Sequence, residues 1–386
     1  MIYNLNEIEK DPFKDNFYDV CIIGSGFAGI TLALSLNENL NVLLLEAGDI
    51  DYSAESQEIY EGKNVGHEYW DLTDCRNRWF GGTSNTWGGW CAPLDSRDFE
   101  KKDFIEFSGW PISKEDIDPY FEETMQIFGL SGSDKVKEFT KGWDDVLTKP
   151  DKYFDGFDIR VSKQEDFKNK HGDAVKERSY IHCYLNANLT DIALTKDLDS
   201  VKVLEIQNYK KKVFNARAKI TILATGGLEN PRLLLSFNKQ CKNGIGNNND
   251  LVGRFFCEHP HFELGDFIIE EHLFEASKSG KLSAMKYLAP SNEFQAEDKV
   301  LNFGIELHTK DFIEREGSTN TFKETLRTII CSSEWAKYVV KSIKGEEIYC
   351  YSSTYDWSDG IFKIESEQVP NLQAGSFLDQ MSTYSA

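Results

Sequence analysis

Residues 17–46 read FYDVCIIGSGFAGITLALSLNENLNVLLLE. Phe17 to Ile23 is an apolar run rich in β-branched residues, which predicts a buried strand. It ends in Gly24-Ser25-Gly26-Phe27-Ala28-Gly29, a GxGxxG pattern. Ile30 to Leu36 keeps apolar residues on nearly every side and predicts a helix with little exposed face. Asn41 to Leu45 predicts a second buried strand, and Glu46 follows it, 22 residues after Gly24. Each part of this strand, turn, helix, strand and acid has a mechanical use. Gly24 permits the tight turn, Gly26 lets backbone approach a pyrophosphate, and Gly29 lets helix and strand pack closely. The helix N-terminus offers free N–H groups to phosphate, and Glu46 can accept from a ribose hydroxyl. The pattern predicts a dinucleotide and does not choose between FAD and NAD.

Outward from this unit, the chain has 386 residues, for which two domains are the natural expectation. Its 40% apolar content and 28 glycines fall in the globular range. The net charge of −21 is the wrong sign for neutralising phosphates, so a nucleic-acid role is disfavoured, and an acidic membrane surface repels the chain. No stretch approaches the roughly 18 apolar residues of a membrane span. Residues 1–14 are polar and acidic, without a basic region leading into an apolar one, so no secretory leader is read. The eight cysteines are scattered, with no CxxC pair and no cluster with histidine. They read as reduced, mostly buried thiols in a cytoplasmic protein, with no metal site.

Two further segments carry chemistry. Arg78 to Pro93 reads RWFGGTSNTWGGWCAP. Its Gly-Gly pairs, with Thr83 and Ser84, make a loop whose backbone can lie against a ligand; an aromatic-packed surface loop is the competing reading. Lys219 to Leu235 reads KITILATGGLENPRLLL. Here a buried strand, Ile220 to Ala224, runs into Thr225-Gly226-Gly227, and Asn230-Pro231 opens a helix, where proline suits the first turn. A short strand is expected at Asn186 to Leu194, NANLTDIAL.

Together these stretches resemble the glucose-methanol-choline family of FAD-dependent oxidoreductases, nearest its sugar-oxidising branch related to pyranose oxidase. The resemblance rests on GSGFAG with Glu46, GGTSNTWGG, SGWPISKEDIDPYFEE from Ser108, NANLTDI, ILATGGLENPRLLL, LVGRFFCEHPHF from Leu251 and SEQVPN at Ser366, and covers residues 17 to about 371. It implies an α/β fold: a Rossmann-type FAD-binding domain formed by 15–110 and 178–258, with an α+β substrate domain of antiparallel sheet formed by 111–177 and 259–370. It implies that Gly24, Gly26 and Gly29 cradle the FAD pyrophosphate and that Glu46 holds the adenosine ribose. Gly81, Gly82, Thr83 and Ser84 would line the pyrophosphate and isoalloxazine side. The backbone of Leu189 would contact adenine, and Ala224, Thr225 and Gly226 would pass close to the cofactor. Some members attach flavin through a histidine where this chain has Thr86, so non-covalent FAD is expected. The implied activity is oxidation of a CH–OH group of a small-molecule alcohol or sugar, with the electron acceptor left open.

The chain also departs from the family. The family's proton-accepting histidine lies in an HxG-type stretch beyond the SEQVPN motif. Here all seven histidines, His67, His171, His182, His259, His261, His272 and His308, precede Ser366. His259-Pro260-His261 reads as structural. Residues 371–386 hold a single charge, Asp379, and show no clean period. A truncated product is therefore expected, one that holds flavin weakly and lacks turnover; this is the alternative to an active oxidoreductase. An NAD-dependent dehydrogenase is a third reading, disfavoured by GGTSNTWGG and ILATGG.

Within the second domain, 111–177 reads as a helical and loop excursion, with Ser113 as an N-cap and a helix over Pro119 to Phe128. Strands are expected at Phe267 to Ile269, Val300 to His308, Ile348 to Tyr355 and Ile361 to Ile364, and a long helix at Asn320 to Lys344. Lys210-Lys211-Lys212 reads as a hairpin tip in solvent.

Overall fold

The structure is a computed structural model that describes residues 1–65, 69–130, 153–162, 166–257 and 284–306. The opening stretch folds as its pattern predicts. Tyr18–Ile23 forms strand β2, Phe27–Ser35 forms helix α1 and Val42–Leu45 forms strand β3. β2 and β3 are neighbours in a five-stranded, all-parallel sheet of order β1-β6-β3-β2-β10, with β1 at Ile2–Asn4, β6 at Ile181–Leu185 and β10 at Ala218–Leu223.

Both faces of its inner strands are covered, which is why β2, β3 and β6 read as continuous apolar runs rather than alternating ones. The strand expected to be buried at Ile220 to Ala224 is instead the edge strand β10, where no residue is buried and Ile220 is 56% exposed, because an edge strand has a neighbour on one side only. Along β3, Leu43 and Leu45 enter one core, while Val42 and Leu44 enter the other. One face packs Ile30 and Ala33 of α1 together with Phe167 and Val175 of the helix Asp166–Glu177. The opposite face packs an antiparallel meander of β7 (Asn188–Leu194), β8 (Val201–Gln207) and β9 (Val213–Ala216), with Leu233 and Phe237 at the end of the helix Glu229–Ser236. The Lys210 to Lys212 turn joins β8 to β9 and is exposed, as expected.

A separate four-stranded antiparallel sheet runs β12-β11-β5-β4, from Ile305–Glu306, Ala284–Pro290, Phe154–Val161 and Trp90–Cys91. The molecule is thus α/β: among the described residues one parallel sheet carries the β7-β8-β9 meander on one face, and a second antiparallel sheet is separate from both.

Several expectations are corrected. The 111–177 segment is not only helix and loop, because β5 lies inside it and pairs along all seven residues of β11. The long strand read at Val300 to His308 contracts to Ile305–Glu306 among the described residues. Residues 1–14, read only as polar and acidic, also carry structure: Ile2–Asn4 pairs with β6, and Leu5 and Phe13 are fully buried. Of the described cysteines, Cys21 and Cys183 are buried, Cys75, Cys91 and Cys241 half-buried, and Cys257 exposed, so mostly buried was too strong. Ser113 does cap a short helix, Lys114–Ile117, in a reciprocal capping box with Asp116. The strands read at 267–269, 348–355 and 361–364, the helix at 320–344, and residues 371–386 lie outside the described residues. Among the described residues, no helix is long and apolar enough to cross a membrane.

Candidate functional site

The site is built where β2, β3 and β10 end together. Gly24 follows β2 with φ +101°, a left-handed conformation that favours glycine, and an ideal Cβ there would lie 2.5 Å from the Ala224 carbonyl oxygen. At Gly29 a Cβ would lie 1.9 Å from the Gly24 carbonyl oxygen, so α1 can press onto the turn only without a side chain. Gly26 differs. It caps α1 with no side-chain hydrogen bond, and a Cβ there would meet nothing within 4 Å. The uncapped first turn of α1 therefore borders open space, the arrangement that suits a phosphate group.

Glu46 sits behind this turn, 5% exposed, just past the end of β3. One carboxylate oxygen accepts from the Ser25 N–H at 3.1 Å and the Ser25 hydroxyl at 2.5 Å, and the other accepts from the Gly48 N–H at 2.8 Å. A carboxylate offers about four acceptor positions, so these three donors fix its orientation and leave room for one more.

The second glycine loop lies directly against the first. Gly81 N–H donates to the Ser25 carbonyl at 3.1 Å and reaches the Ser25 hydroxyl at 3.3 Å. A Cβ on Gly82 would stand 3.2 Å from the Gly26 Cα. Thr83 is exposed, whereas Ser84 is fully buried with its hydroxyl unpartnered among the described residues. Thr86 is exposed, and its hydroxyl accepts from Asn77 Nδ2 at 2.7 Å.

The third segment closes the arrangement. Ala224 N–H donates to the Ile23 carbonyl at 2.8 Å, while Thr225 donates from N–H and hydroxyl to Asn230 Oδ1 at 3.0 and 2.6 Å. Gly226 has φ +91° and nothing within 4 Å of an added Cβ. The structure thus brings Gly24, Gly26, Gly29, Gly81, Gly82 and Ala224 together, with Glu46 beside them. Leu189 is apart, in β7, connected through its neighbour Asn188, whose Oδ1 accepts from Arg78 Nη2 at 2.8 Å.

Residues that sequence reading passed over hold this assembly. Ser25 bonds to both Glu46 and Gly81, and its only local signal is its place between two glycines. Arg78 reaches Ser56, Tyr209 and Asn188. Glu229, buried beside the Gly226-Gly227 turn, pairs with Arg232 and, at 3.5 Å, with Arg76. The Arg76 guanidinium lies 3.9 Å from the centre of the Tyr60 ring. Burial, reinforced by the charge of Glu229, pushes the Tyr60 phenol well above its ordinary range. Burial likewise raises the Cys21 and Cys183 thiols, which keeps them protonated and inert.

The described histidines are engaged elsewhere. His171 Nε2 donates to the Ile127 carbonyl at 3.0 Å, and the His182 ring meets Tyr18 edge-on at 5.9 Å. His67, His259, His261, His272 and His308 lie outside the described residues. Among the described residues, no group of three or more His, Cys, Asp or Glu could hold a metal ion.

No protein-family model matches the chain. A 2-methyl-1,2-propanediol dehydrogenase of Mycolicibacterium austroafricanum is 24% identical over 228 residues, which are 46% of this chain and 40% of that protein. The match therefore spans less than half the length of this relative. Among solved structures, pyridoxine 4-oxidase from Mesorbium loti overlaps with a TM-score of 0.39 and 19% identity, covering 57% of this chain and 51% of the other. A fungal aryl-alcohol oxidase overlaps with a TM-score of 0.38 and 15% identity, covering 57% and 47%. Overlap at that level carries no argument about activity. The ordered motifs, the parallel sheet they build and the dehydrogenase relative agree with one another, and the chain is similar to the glucose-methanol-choline family of oxidoreductases.

Proposed function

We propose that the parallel-sheet part, 15–110 with 178–258, binds FAD, and that the whole protein oxidises a CH–OH group of a small alcohol or sugar. The observation that carries this reading is the meeting of three separate glycine segments around the open space at Gly26, next to a buried carboxylate. Gly24, Gly26 and the first turn of α1 would receive the pyrophosphate. Glu46 would accept from the adenosine ribose with its remaining capacity. Gly81, Gly82, Thr83 and Ser84 would line the path towards the flavin ring, and the unpartnered Ser84 hydroxyl is a donor suited to such a neighbour. The Leu189 backbone would lie along adenine, and Ala224, Thr225 and Gly226 would pass beside the cofactor.

When bound, FAD supplies a hydride acceptor at its N5 atom. The chain's own residues bind and orient it. Substrate would enter from the part formed by 111–177 and 259–370. Thr86 cannot form the covalent link that a histidine makes, so the flavin would be held non-covalently.

The test is a visible spectrum of the purified chain after exposure to FAD and gel filtration. Retained flavin that is released into the supernatant by acid precipitation supports the reading. Bleaching on anaerobic addition of alcohols or sugars supports turnover, while bound flavin that never bleaches identifies a flavin-binding protein without turnover. Retention of nicotinamide in place of flavin overturns the proposal.

A further inference from the structure

Tyr209 stands at the turn between β8 and β9, far along the chain from both Glu46 and the glycine segments at Gly24–Gly29 and Gly81-Gly82. Its hydroxyl accepts from Arg78 Nη1 at 2.8 Å and donates to the Ala47 carbonyl at 3.0 Å. The other arm of Arg78 donates to Asn188 Oδ1, and Asn188 Nδ2 donates to the Gln207 carbonyl at 3.0 Å. Ala47 follows Glu46, and Asn188 precedes Leu189. One phenol therefore ties together the neighbours of the two residues assigned to the adenosine half of the cofactor. The Tyr209 N–H in turn donates to Asn6 Oδ1 at 3.0 Å, which anchors the turn to the N-terminal segment.

We propose that Tyr209 is a positioning residue for the adenosine half of the bound dinucleotide, fixing the gap between Glu46 and the Leu189 backbone through Ala47 and Arg78. This rests on the FAD reading above. Its two hydrogen bonds go to Arg78 and Ala47 and not to Gly24–Gly29, so its direct pull falls on the segments beside Glu46 and Leu189. Hydrogen bonds from charged donors contribute more than neutral ones, so the Arg78 contact is the stronger of the two.

The experiment titrates wild type, Tyr209→Phe, Arg78→Lys and Lys210→Ala with FAD, ADP and FMN, and records thermal melting of each. FMN lacks the adenosine half, whereas ADP carries that half with both phosphates of the pyrophosphate and no flavin. Tyr209→Phe is expected to weaken FAD and ADP by about tenfold, with FMN affinity unchanged and a melting temperature lowered only modestly, as loss of its two part-buried hydrogen bonds requires. Arg78→Lys, which keeps the charge but loses the fork, is expected to repeat the pattern and stands in if Tyr209→Phe does not fold. Lys210→Ala, at the same turn, is expected to match wild type. Parallel loss of FAD and FMN, or unchanged ADP affinity, overturns the proposal. Wild type that binds ADP but no flavin overturns the FAD reading alone, since the ADP ratio between Tyr209→Phe and wild type still decides the role of Tyr209. Wild type that binds none of the three overturns both.

Discussion

Ser25 donates twice to a single oxygen of Glu46, from its N–H at 3.1 Å and its hydroxyl at 2.5 Å, and both residues are buried. The same hydroxyl lies 3.3 Å from the Gly81 N–H, so one side chain joins the acid to both glycine loops. A buried carboxylate that loses a donor retains the cost of its desolvation without the compensating bond. Ser25→Ala is therefore expected to lower unfolding stability by about 1–3 kcal/mol, read by urea denaturation. Ser25→Thr keeps the hydroxyl but adds a methyl group in a site with no exposed surface, and is expected to be no better than alanine.

Gly26 and Gly29 lie three positions apart and answer oppositely to the same substitution. Gly29→Ala places a methyl group 1.9 Å from the Gly24 carbonyl oxygen, so α1 must move; a loss of roughly 2 kcal/mol or more is expected in thermal or chemical denaturation. Gly26→Ala meets nothing within 4 Å and leaves α1 intact, so melting of the ligand-free protein is expected to stay near wild type. FAD retention is nonetheless expected to fall at least about tenfold, because the methyl group occupies the space where backbone must approach the pyrophosphate. Equal FAD retention by Gly26→Ala and wild type would argue that the open space serves no ligand.

Glu229 carries a different kind of weight. Its carboxylate is 5% exposed and faces Arg76, whose own side chain is 13% exposed. Glu229→Gln leaves Arg76 charged and nearly enclosed, and breaking such a pair from one side costs about 3–5 kcal/mol. The expected result is a large drop in melting temperature, with partial recovery when Arg76→Met is added. A double-mutant cycle measures the coupling.

His182 gives the fold an acid sensitivity. Burial, and then the nearby N-terminal charge, hold its pKa below the ordinary 6.5. The folded state thus resists protonation where the unfolded chain accepts it, so stability is full above pH 6.5 and falls as pH drops from there through the lowered folded value. His182→Gln does not titrate and is expected to flatten the stability profile between about pH 7 and pH 5. Parallel profiles for variant and wild type would remove His182 as the cause.

The glycine cradle was legible in the sequence because its constraints are local: a turn, a helix start and a strand end within 23 residues. GGTSNTWGG and ILATGG were legible by resemblance, and Gly82 and Ala224 do lie against Gly26 and Gly24. What the sequence hid depends on partners far along the chain. β1 has only three residues, Ile2–Asn4, and its pairing partners are Cys183 to Leu185. Nothing near Tyr209 announces Arg78 or Ala47, because those bonds span 131 and 162 positions. β5 is a different failure. Phe154–Val161 reads FDGFDIRV, with Phe157, Ile159 and Val161 at alternate positions, a visible period of two lost between segments read as helix and loop.

The strand order β1-β6-β3-β2-β10 also sets a timetable for synthesis. β2, α1 and β3 are contiguous and can assemble as soon as residue 45 has left the ribosome. Both outer flanks of that pair stay bare until β6 and β10 are made, roughly 140 to 180 residues later. At about 5–20 residues per second this is a wait of around ten seconds to more than half a minute. During that interval β1 has no edge to join, because its partner is β6, and the apolar faces of β2 and β3 have only α1 for cover. Slowing translation ahead of residue 181 would lengthen the exposure of those faces and flanks.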